Sequence, residues 1–244
     1  MQEKTLKVTG IQPLAKNVFR LDLTGEDLER QRPGQFVNLR AEGCFLRRPI
    51  SVYDWEEGRL SVIFKVVGGG TERLSTLRPG DAVNALTGLG NGYDLSRAGE
   101  KPLLLGGGVG VPPLYLLAKE LLAQGRTVTA VLGFNRAEEV FGEEEFRALG
   151  CETVVTTADG SRGLRGFVTD ALPEDYSFFY TCGPKPMLRA VWEKTKTGGQ
   201  FSFEERMGCG FGACMGCTCK TKDGAKRICR EGPVLDKEEI LWED

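Results

Sequence analysis

The sequence predicts a chain of the α/β plus β class: an antiparallel β-barrel first, a parallel α/β domain behind it, and a small cysteine-rich domain at the C-terminus. Three observations carry this reading. Up to about Leu95, short apolar segments alternate with turn residues; from Lys101 strands alternate with helices; and near the C-terminus five of the eight cysteines fall within 21 residues. The first pattern is most economical as a closed barrel, because closure removes exposed strand edges. The second argues for a parallel sheet. The third is a metal-site pattern, since a disulfide scaffold would spread its cysteines through a small secreted chain.

Taken in order, TLKVTG, NVFRLDL, GQFVNL, ISVYDW, LSVIFKVV and DAVNAL read as strands separated by Gly or Pro. Phe19, Leu21 and Leu23 alternate with Arg20 and Asp22, the two-residue period of a half-buried strand. Asp54 to Gly58 reads as a hairpin connection. PLLLGGGVG is then a buried strand running into a glycine turn, and the following segment carries Leu114, Leu117, Leu121 and Leu122 at helical spacing before stopping at Gly125. TVTAVLGF, CETVVTTA and YSFFYTCG are further strands, and EEEFRALG a helix. Gly198-Gly199 marks a boundary, giving domains 1–98, 99–199 and 200–244. The last is too small to fold well on apolar burial alone, so a metal centre would supply much of its stability.

Composition narrows the function. With 32 Lys and Arg against 34 Asp and Glu, the chain has no basic excess to attract nucleic acid or an anionic membrane. No apolar run approaches the roughly 20 residues that span a bilayer, and MQEKTLKVTG lacks a signal-peptide layout, so a cytoplasmic location is expected. Histidine is absent altogether. Serine-histidine hydrolysis, HExxH metalloproteolysis and His-ligated iron are thereby excluded within this chain.

Cys209, Cys214, Cys217 and Cys229 stand as C-x4-C-x2-C-x11-C. The first three reproduce the plant-type spacing of a loop around a [2Fe-2S] cluster, closed by a distant fourth cysteine. Gly208, Gly210, Gly212 and Gly216 are expected to let the backbone take positive φ and bring N–H groups to the sulfurs. The alternative is a four-cysteine zinc site. Zinc ribbons prefer two C-x2-C pairs, and only one is present. Cys219 is expected to point away and lies outside the ligand set. Phe211 and Met215 either pack within the small domain or stand exposed as a docking face.

Arg48-Pro49-Ile50-Ser51, just after Arg47, places a cation on a proline-stiffened strand with a hydroxyl further along, a pattern that can hold a phosphate and reach a ring heteroatom. Alone it is equally a basic strand edge. Gly68-Gly69-Gly70-Thr71 is a possible phosphate cradle or a flexible tip. Gly106-Gly107-Gly108-Val109-Gly110-Val111-Pro112-Pro113 sits at a strand-to-helix turn suited to a pyrophosphate, or is simply tight packing. It departs from G-x-G-x-x-G at Pro113, and the next strand ends in Asn135-Arg136 rather than an acidic residue. NAD and NADP are not separated by this, because Arg136 could meet a 2′-phosphate. Cys182, in Cys-Gly-Pro-Lys-Pro-Met, falls at the ligand-binding edge of an open sheet, although a lone cysteine there is commonly a small buried residue.

In this order along the chain, RRPIS, GGGT, GGGVGVPPL, CGPKPM, ERMGCGFGACMGC and CREGPV resemble the ferredoxin-NADP reductase superfamily, and within it the electron transfer subunits of class 1B dihydroorotate dehydrogenases. The resemblance implies an FAD-binding barrel, an NAD-binding α/β domain and a [2Fe-2S] domain. It implies that Arg48, Pro49, Ile50, Ser51, Ile63, Phe64, Lys65, Gly70 and Thr71 hold FAD, that Gly108, Gly110 and Cys182 lie at the nicotinamide end, and that Cys209, Cys214, Cys217 and Cys229 ligate the cluster. Electrons would pass from the FMN of a dihydroorotate dehydrogenase catalytic subunit through [2Fe-2S] and FAD to NAD+, in pyrimidine (UMP) biosynthesis. Two copies of each subunit would form a heterotetramer. Hydride exchange between NAD and flavin needs alignment and no protein base, which suits a chain without histidine. The alternative is a flavin and iron–sulfur subunit of another NAD(P)H-linked complex, of sulfide dehydrogenase, sulfite reductase or transhydrogenase type.

Overall fold

The computed structural model describes residues 1–242. Six strands close the barrel: β1 (Gln2–Ala15), β2 (Val18–Thr24), β3 (Phe36–Leu39), β4 (Arg48–Glu56), β5 (Arg59–Lys65) and β6 (Ala82–Leu89). They run β1-β2-β5-β4-β3-β6 around the barrel, every neighbouring pair antiparallel, with helix α1 (Gly69–Ser75) crossing between β5 and β6. The alternation read at Phe19 to Leu23 puts Leu21 and Leu23 fully inside, among Val37, Leu39, Val52, Leu60, Val62 and Leu74. The expected hairpin turns through Glu57 and Gly58, the latter at φ 75°, a backbone conformation that costs glycine nothing.

The second sheet has seven strands, and its order β10-β9-β8-β7-β11-β12-β15 is that of a doubly wound α/β unit with one added edge. Here β7 is Pro102–Gly107, β8 Thr129–Phe134, β9 Glu152–Thr157, β10 Leu164–Arg165, β11 Phe178–Cys182, β12 Gly199–Ser202 and β15 Val234–Asp236. The connecting helices are α2 (Pro113–Ala123), α3 (Glu143–Leu149) and α4 (Lys185–Lys194). All pairs are parallel except β12 with β15. The periodic leucines of α2 behave as read: Leu114, Leu117 and Leu121 are fully buried, while Leu122 lies at the margin. At roughly 1.5–3 kcal/mol for each fully buried side chain, this stripe anchors the sheet to the barrel. Tyr115 stacks on Tyr53 of β4 at 4.4 Å, and Lys119 bridges to Asp54 at 2.9 Å.

The cysteine-rich segment runs between β12 and β15, two neighbouring strands of the larger sheet, and contributes a hairpin of β13 (Thr218–Thr221) and β14 (Gly224–Arg227). An isolated two-stranded hairpin is marginal in water. Apolar support comes from Phe201, Ile228, Leu235 and Ile240, which join one core cluster. All eight cysteines are free thiols. Cys151 is buried, and burial pushes its thiol up to about 12. Cys44 packs against the barrel core. Among the described residues, no helix is long and apolar enough to cross a membrane.

Candidate functional site

Strand pairing opens the first cavity. Through Arg48, Pro49, Ile50 and Ser51, β4 pairs with β3 alone, and its pairing with β5 begins only at Val52, next to a register shift at Tyr53. Ile63, Phe64 and Lys65 of β5 pair with β2 alone. The two strands therefore part, leaving the facing edges of both backbones without ladder partners, and a cavity of 320 Å³ opens between them. Arg48, Pro49, Ile50, Ser51, Ile63, Phe64, Lys65 and Thr71 all line it. Gly70 stands against Arg48 so closely that a Cβ there would lie 1.9 Å from the guanidinium Nε. Two motifs about twenty residues apart in sequence thus meet at one point. Arg48 Nη1 donates to the carbonyls of Leu46 and Arg47 at 2.7 and 3.2 Å, which fixes the cation beside the start of α1. Thr71 works on the turn itself: its hydroxyl accepts the Val67 N–H and donates to the Gly68 carbonyl, each at 2.9 Å.

A second cavity, of 600 Å³, lies at the C-terminal ends of the parallel strands and is lined by Gly107 to Gly110, Gly133 to Asn135, and the start of the Gly183 to Met187 loop. The two glycine-bearing loops touch backbone to backbone. A Cβ on Gly110 would lie 2.3 Å from the Cys182 carbonyl oxygen, and one on Gly107 would lie 2.4 Å from Met187 Sδ. Gly108 has φ 53° and open space beside it. The helix start after this loop does not supply the expected row of amide donors. Pro112 and Pro113 have no N–H, and the amides of Leu114 and Tyr115 are spent on the Val111 and Pro112 carbonyls. What the loop offers is close backbone approach. Cys182 is fully buried and does not line either cavity; burial, reinforced by Glu204, pushes its thiol far up, against a hydrogen bond to Ser202. It is a packed, protonated side chain, the commonplace reading for a cysteine at that position.

Lys65, Val109 and Glu204 line both cavities, which makes the two spaces neighbours across three side chains. Glu204 was not legible in sequence as a site residue, because it stands outside the glycine loops and becomes one only when β12 joins the sheet. Glu139 was missed as well. A turn of 3-10 helix folds it back so that its carboxylate accepts the Asn135 N–H at 3.2 Å and Asn135 Nδ2 at 3.0 Å inside the second cavity. The acidic residue absent from the end of β8 is thus delivered four positions later. Arg136 is exposed and helps hold Asp159 below the usual carboxylate range, after the stronger hydrogen bonds from Ser161.

The four cysteines of the C-terminal segment come as two pairs. Cys209 Sγ accepts N–H groups from Phe211, Ala213 and Cys214 at 3.5, 3.2 and 3.4 Å, and the Cys209 N–H donates to Cys214 Sγ at 3.4 Å. The Cys229 N–H donates to Cys217 Sγ at 3.4 Å. Burial works against the Cys209 thiolate, but the amides of Phe211, Cys214 and Ala213 together with the Cys214 side chain bring the thiol down to about 6. Burial and the neighbouring Cys217 push Cys229 up to about 12. The first pair is at the surface and the second is buried. Of the four glycines expected at positive φ, Gly210 and Gly212 take it, at 81° and 94°, and Met215 joins them at 60°. Gly208 serves closeness instead, since a Cβ there would lie 3.1 Å from Cys214 Sγ; at Gly216 a Cβ would make an ordinary 3.6 Å contact with the same sulfur. Arg227 clamps the loop through Nη1 to the Gly212 carbonyl at 2.8 Å, its guanidinium held in turn by Glu231. Cys219 sits in β13 opposite Lys226, packed on the core. Among the described residues no three Cys, Asp or Glu side chains converge on one point. Two pairs of cysteine sulfurs with N–H donors suit a two-iron centre, which takes two sulfur ligands at each iron; a single zinc calls four to one point.

A cleft in an antiparallel barrel, joined to a cavity at the C-terminal ends of a parallel sheet, is the architecture of the ferredoxin reductase fold, a class of flavin oxidoreductases. Residues 204–241 match the family described as the iron-sulfur cluster binding domain of dihydroorotate dehydrogenase B, and residues 104–193 match the oxidoreductase NAD-binding domain. The chain is 42% identical, over 99% of its length and 99% of the relative's, to the dihydroorotate dehydrogenase B (NAD(+)) electron transfer subunit of Geobacillus sp. (strain WCH70), and 42% identical over 97% and 98% to that of Lysinibacillus sphaericus (strain C3-41). A solved structure of an NADH-dependent reduced ferredoxin-NADP oxidoreductase superposes with a TM-score of 0.88 at 30% identity, covering 97% of this chain and 90% of that one. The chain belongs to the family of dihydroorotate dehydrogenase B (NAD(+)) electron transfer subunits. It is an NAD-linked electron transfer oxidoreductase subunit whose cofactors are FAD and a [2Fe-2S] cluster, with NAD as co-substrate.

Proposed function

We propose that this chain takes electrons from an FMN-containing dihydroorotate dehydrogenase catalytic subunit and delivers them to NAD+ in pyrimidine (UMP) biosynthesis, as a cytoplasmic heterotetramer with two copies of each subunit. The supporting observation is the order of sites: an outer cysteine pair, a barrel cleft, and a second cavity sharing Lys65, Val109 and Glu204 with that cleft. Eight free thiols suit a reducing compartment. When bound, FAD exchanges two electrons with NAD and single electrons with the [2Fe-2S] cluster, and so converts one kind of transfer into the other.

The residues do the following. Arg48, beside Gly70 and Thr71, neutralises the FAD phosphates, while the unpaired edges of Pro49, Ile50 and Ser51 and of Ile63, Phe64 and Lys65 orient the ring system. Gly108 and Gly110 give NAD close access to the backbone, and Cys182 supports Gly110 from below. Glu139, holding Asn135, stands where a ribose hydroxyl would be accepted and a 2′-phosphate repelled, which favours NAD. Cys209, Cys214, Cys217 and Cys229 hold the cluster. Phe211 and Met215, 39% and 55% exposed beside the outer pair, form the docking face for the catalytic subunit. Functionally the chain divides at 1–98, 99–199 and 200–244.

A second reading, an iron–sulfur flavin subunit of a transhydrogenase-type complex, is favoured by the superposition at TM-score 0.88. Co-purification with the native partner separates the two. Dihydroorotate should reduce NAD+ only when both subunits are present; no reduction despite full FAD and iron occupancy removes the first reading. Within it, Arg48→Ala should weaken FAD retention about ten- to a hundredfold, the loss of about 1.5–3 kcal/mol from a charge-assisted hydrogen bond. Equilibrium dialysis of flavin alongside iron analysis checks this, iron being unchanged.

A further inference from the structure

Asn38 lies on β3, fully buried, in register with Pro49 of the neighbouring strand in the barrel cleft. Its side chain does not serve the barrel. Nδ2 donates to the backbone carbonyl of Cys209, 171 residues away, at 3.1 Å, and Oδ1 is buried with no partner within the chain. The loop is built to receive this amide: Gly210 takes φ 81°, and a Cβ there would lie 2.5 Å from Asn38 Nδ2. Elsewhere the C-terminal segment is held from its far side, where Asn91 donates to the Glu231 and Val234 carbonyls, and from within by Arg227 on Gly212. Asn38 is therefore the side chain with which the strand beside the cleft grips the ligand loop itself.

A buried amide with an unmatched oxygen is costly, and an apolar residue of the same shape would remove that cost. The hydrogen bond that Asn38 does make is to the Cys209 carbonyl, and that is the contact an apolar replacement would lose. We propose that Asn38 is a positioning residue for electron transfer: it fixes the Cys209 end of the cluster loop against the flavin-binding strands. This rests on the assignment of FAD to the barrel cleft and of the [2Fe-2S] cluster to the four cysteines.

The test is Asn38→Leu in the full-length holoprotein, compared with wild type. The thermal midpoint should shift little, since the unmatched oxygen is gone while the Cys209 carbonyl loses its donor. FAD content, iron content and the rate of flavin reduction by NADH should match wild type, because Asn38 lines neither the barrel cleft nor the nucleotide cavity. The visible circular dichroism and the electron paramagnetic resonance spectrum of the reduced cluster should change. In anaerobic rapid mixing with NADH, cluster reduction should lag flavin reduction about tenfold more than in wild type, the order of loss expected when a reacting group is misplaced by a fraction of an ångström. A lower midpoint with unchanged cluster spectra and an unchanged lag would make Asn38 merely structural and overturn the proposal. If Asn38→Leu does not accumulate folded, Gly210→Ala presses on the same amide from the loop side, and unchanged spectra and lag there overturn it equally. A wild-type protein without flavin or sulfide would instead overturn the cofactor assignment beneath it.

Discussion

Cys229→Ser is expected to strip the protein of iron and sulfide while leaving FAD in its cleft. Cys229 is buried beside Cys217, and the two form the inner half of the proposed ligand set, where a replacement ligand cannot enter from solvent. Changes in groups that only support a metal ligand lower affinity by about 10–100-fold, and loss of a ligand exceeds this. The hairpin of β13 and β14 keeps its bridge from Thr221 to Ile240 and the ion pair of Lys226 with Glu239, so loss of the metal should loosen the ligand loop more than the hairpin. Dihydroorotate-driven reduction of NAD+ in the assembled complex should fall by more than about a hundredfold, whereas NADH oxidation by an artificial dye at the flavin should persist. Iron and sulfide analysis, with the two assays run on the same preparation, checks both arms. Retention of a wild-type visible spectrum would remove Cys229 from the ligand set.

Gly110→Ala should act at the other end of the chain of sites. The new methyl would meet the Cys182 carbonyl carbon and oxygen at 2.4 and 2.3 Å and the Gly183 nitrogen at 2.6 Å. These are backbone atoms at the end of a central strand paired on both sides, so they cannot step aside as a side chain would. Overpacking typically costs about 1–3 kcal/mol, and this contact belongs at the upper end. The loop must move out into the nucleotide cavity, and the KM for NADH should rise about ten- to a hundredfold with FAD and iron contents unchanged. Steady-state kinetics with a dye acceptor measures this. An unaltered KM would mean that NAD does not approach Gly110.

Much of this was legible in the residues. Two-residue alternation at Phe19 to Leu23 and the leucine stripe of α2 point inward because burial is what such periodicities express. The four cysteines meet in hydrogen-bonded pairs, Cys209 with Cys214 and Cys217 with Cys229, the second pair joining residues twelve apart. Sequence failed where function depends on elements meeting from afar. Nothing local in Glu204, Glu139 or Asn38 marks them; each acquires its neighbours from strand order, a 3-10 turn, or a contact 171 residues long. Thr71 was read for its hydroxyl alone; that hydroxyl is committed to its own turn while the residue also lines the cleft. The glycines of the cluster loop divide for a similar reason. A sequence cannot distinguish a residue needed for its dihedral freedom from one needed for its missing side chain.

The insertion of the cysteine segment between β12 and β15 has a consequence for engineering and for descent. An appended tail could be cut off or exchanged at one junction. This segment is stitched in at two, and a chain ending after Ser202 would also forfeit β15, baring the hydrogen-bonding edge of β12 to self-association. Transplanting the module into another reductase therefore means grafting both flanking strands with it, and a lineage that discarded the metal would have to reseal the sheet margin at the same time.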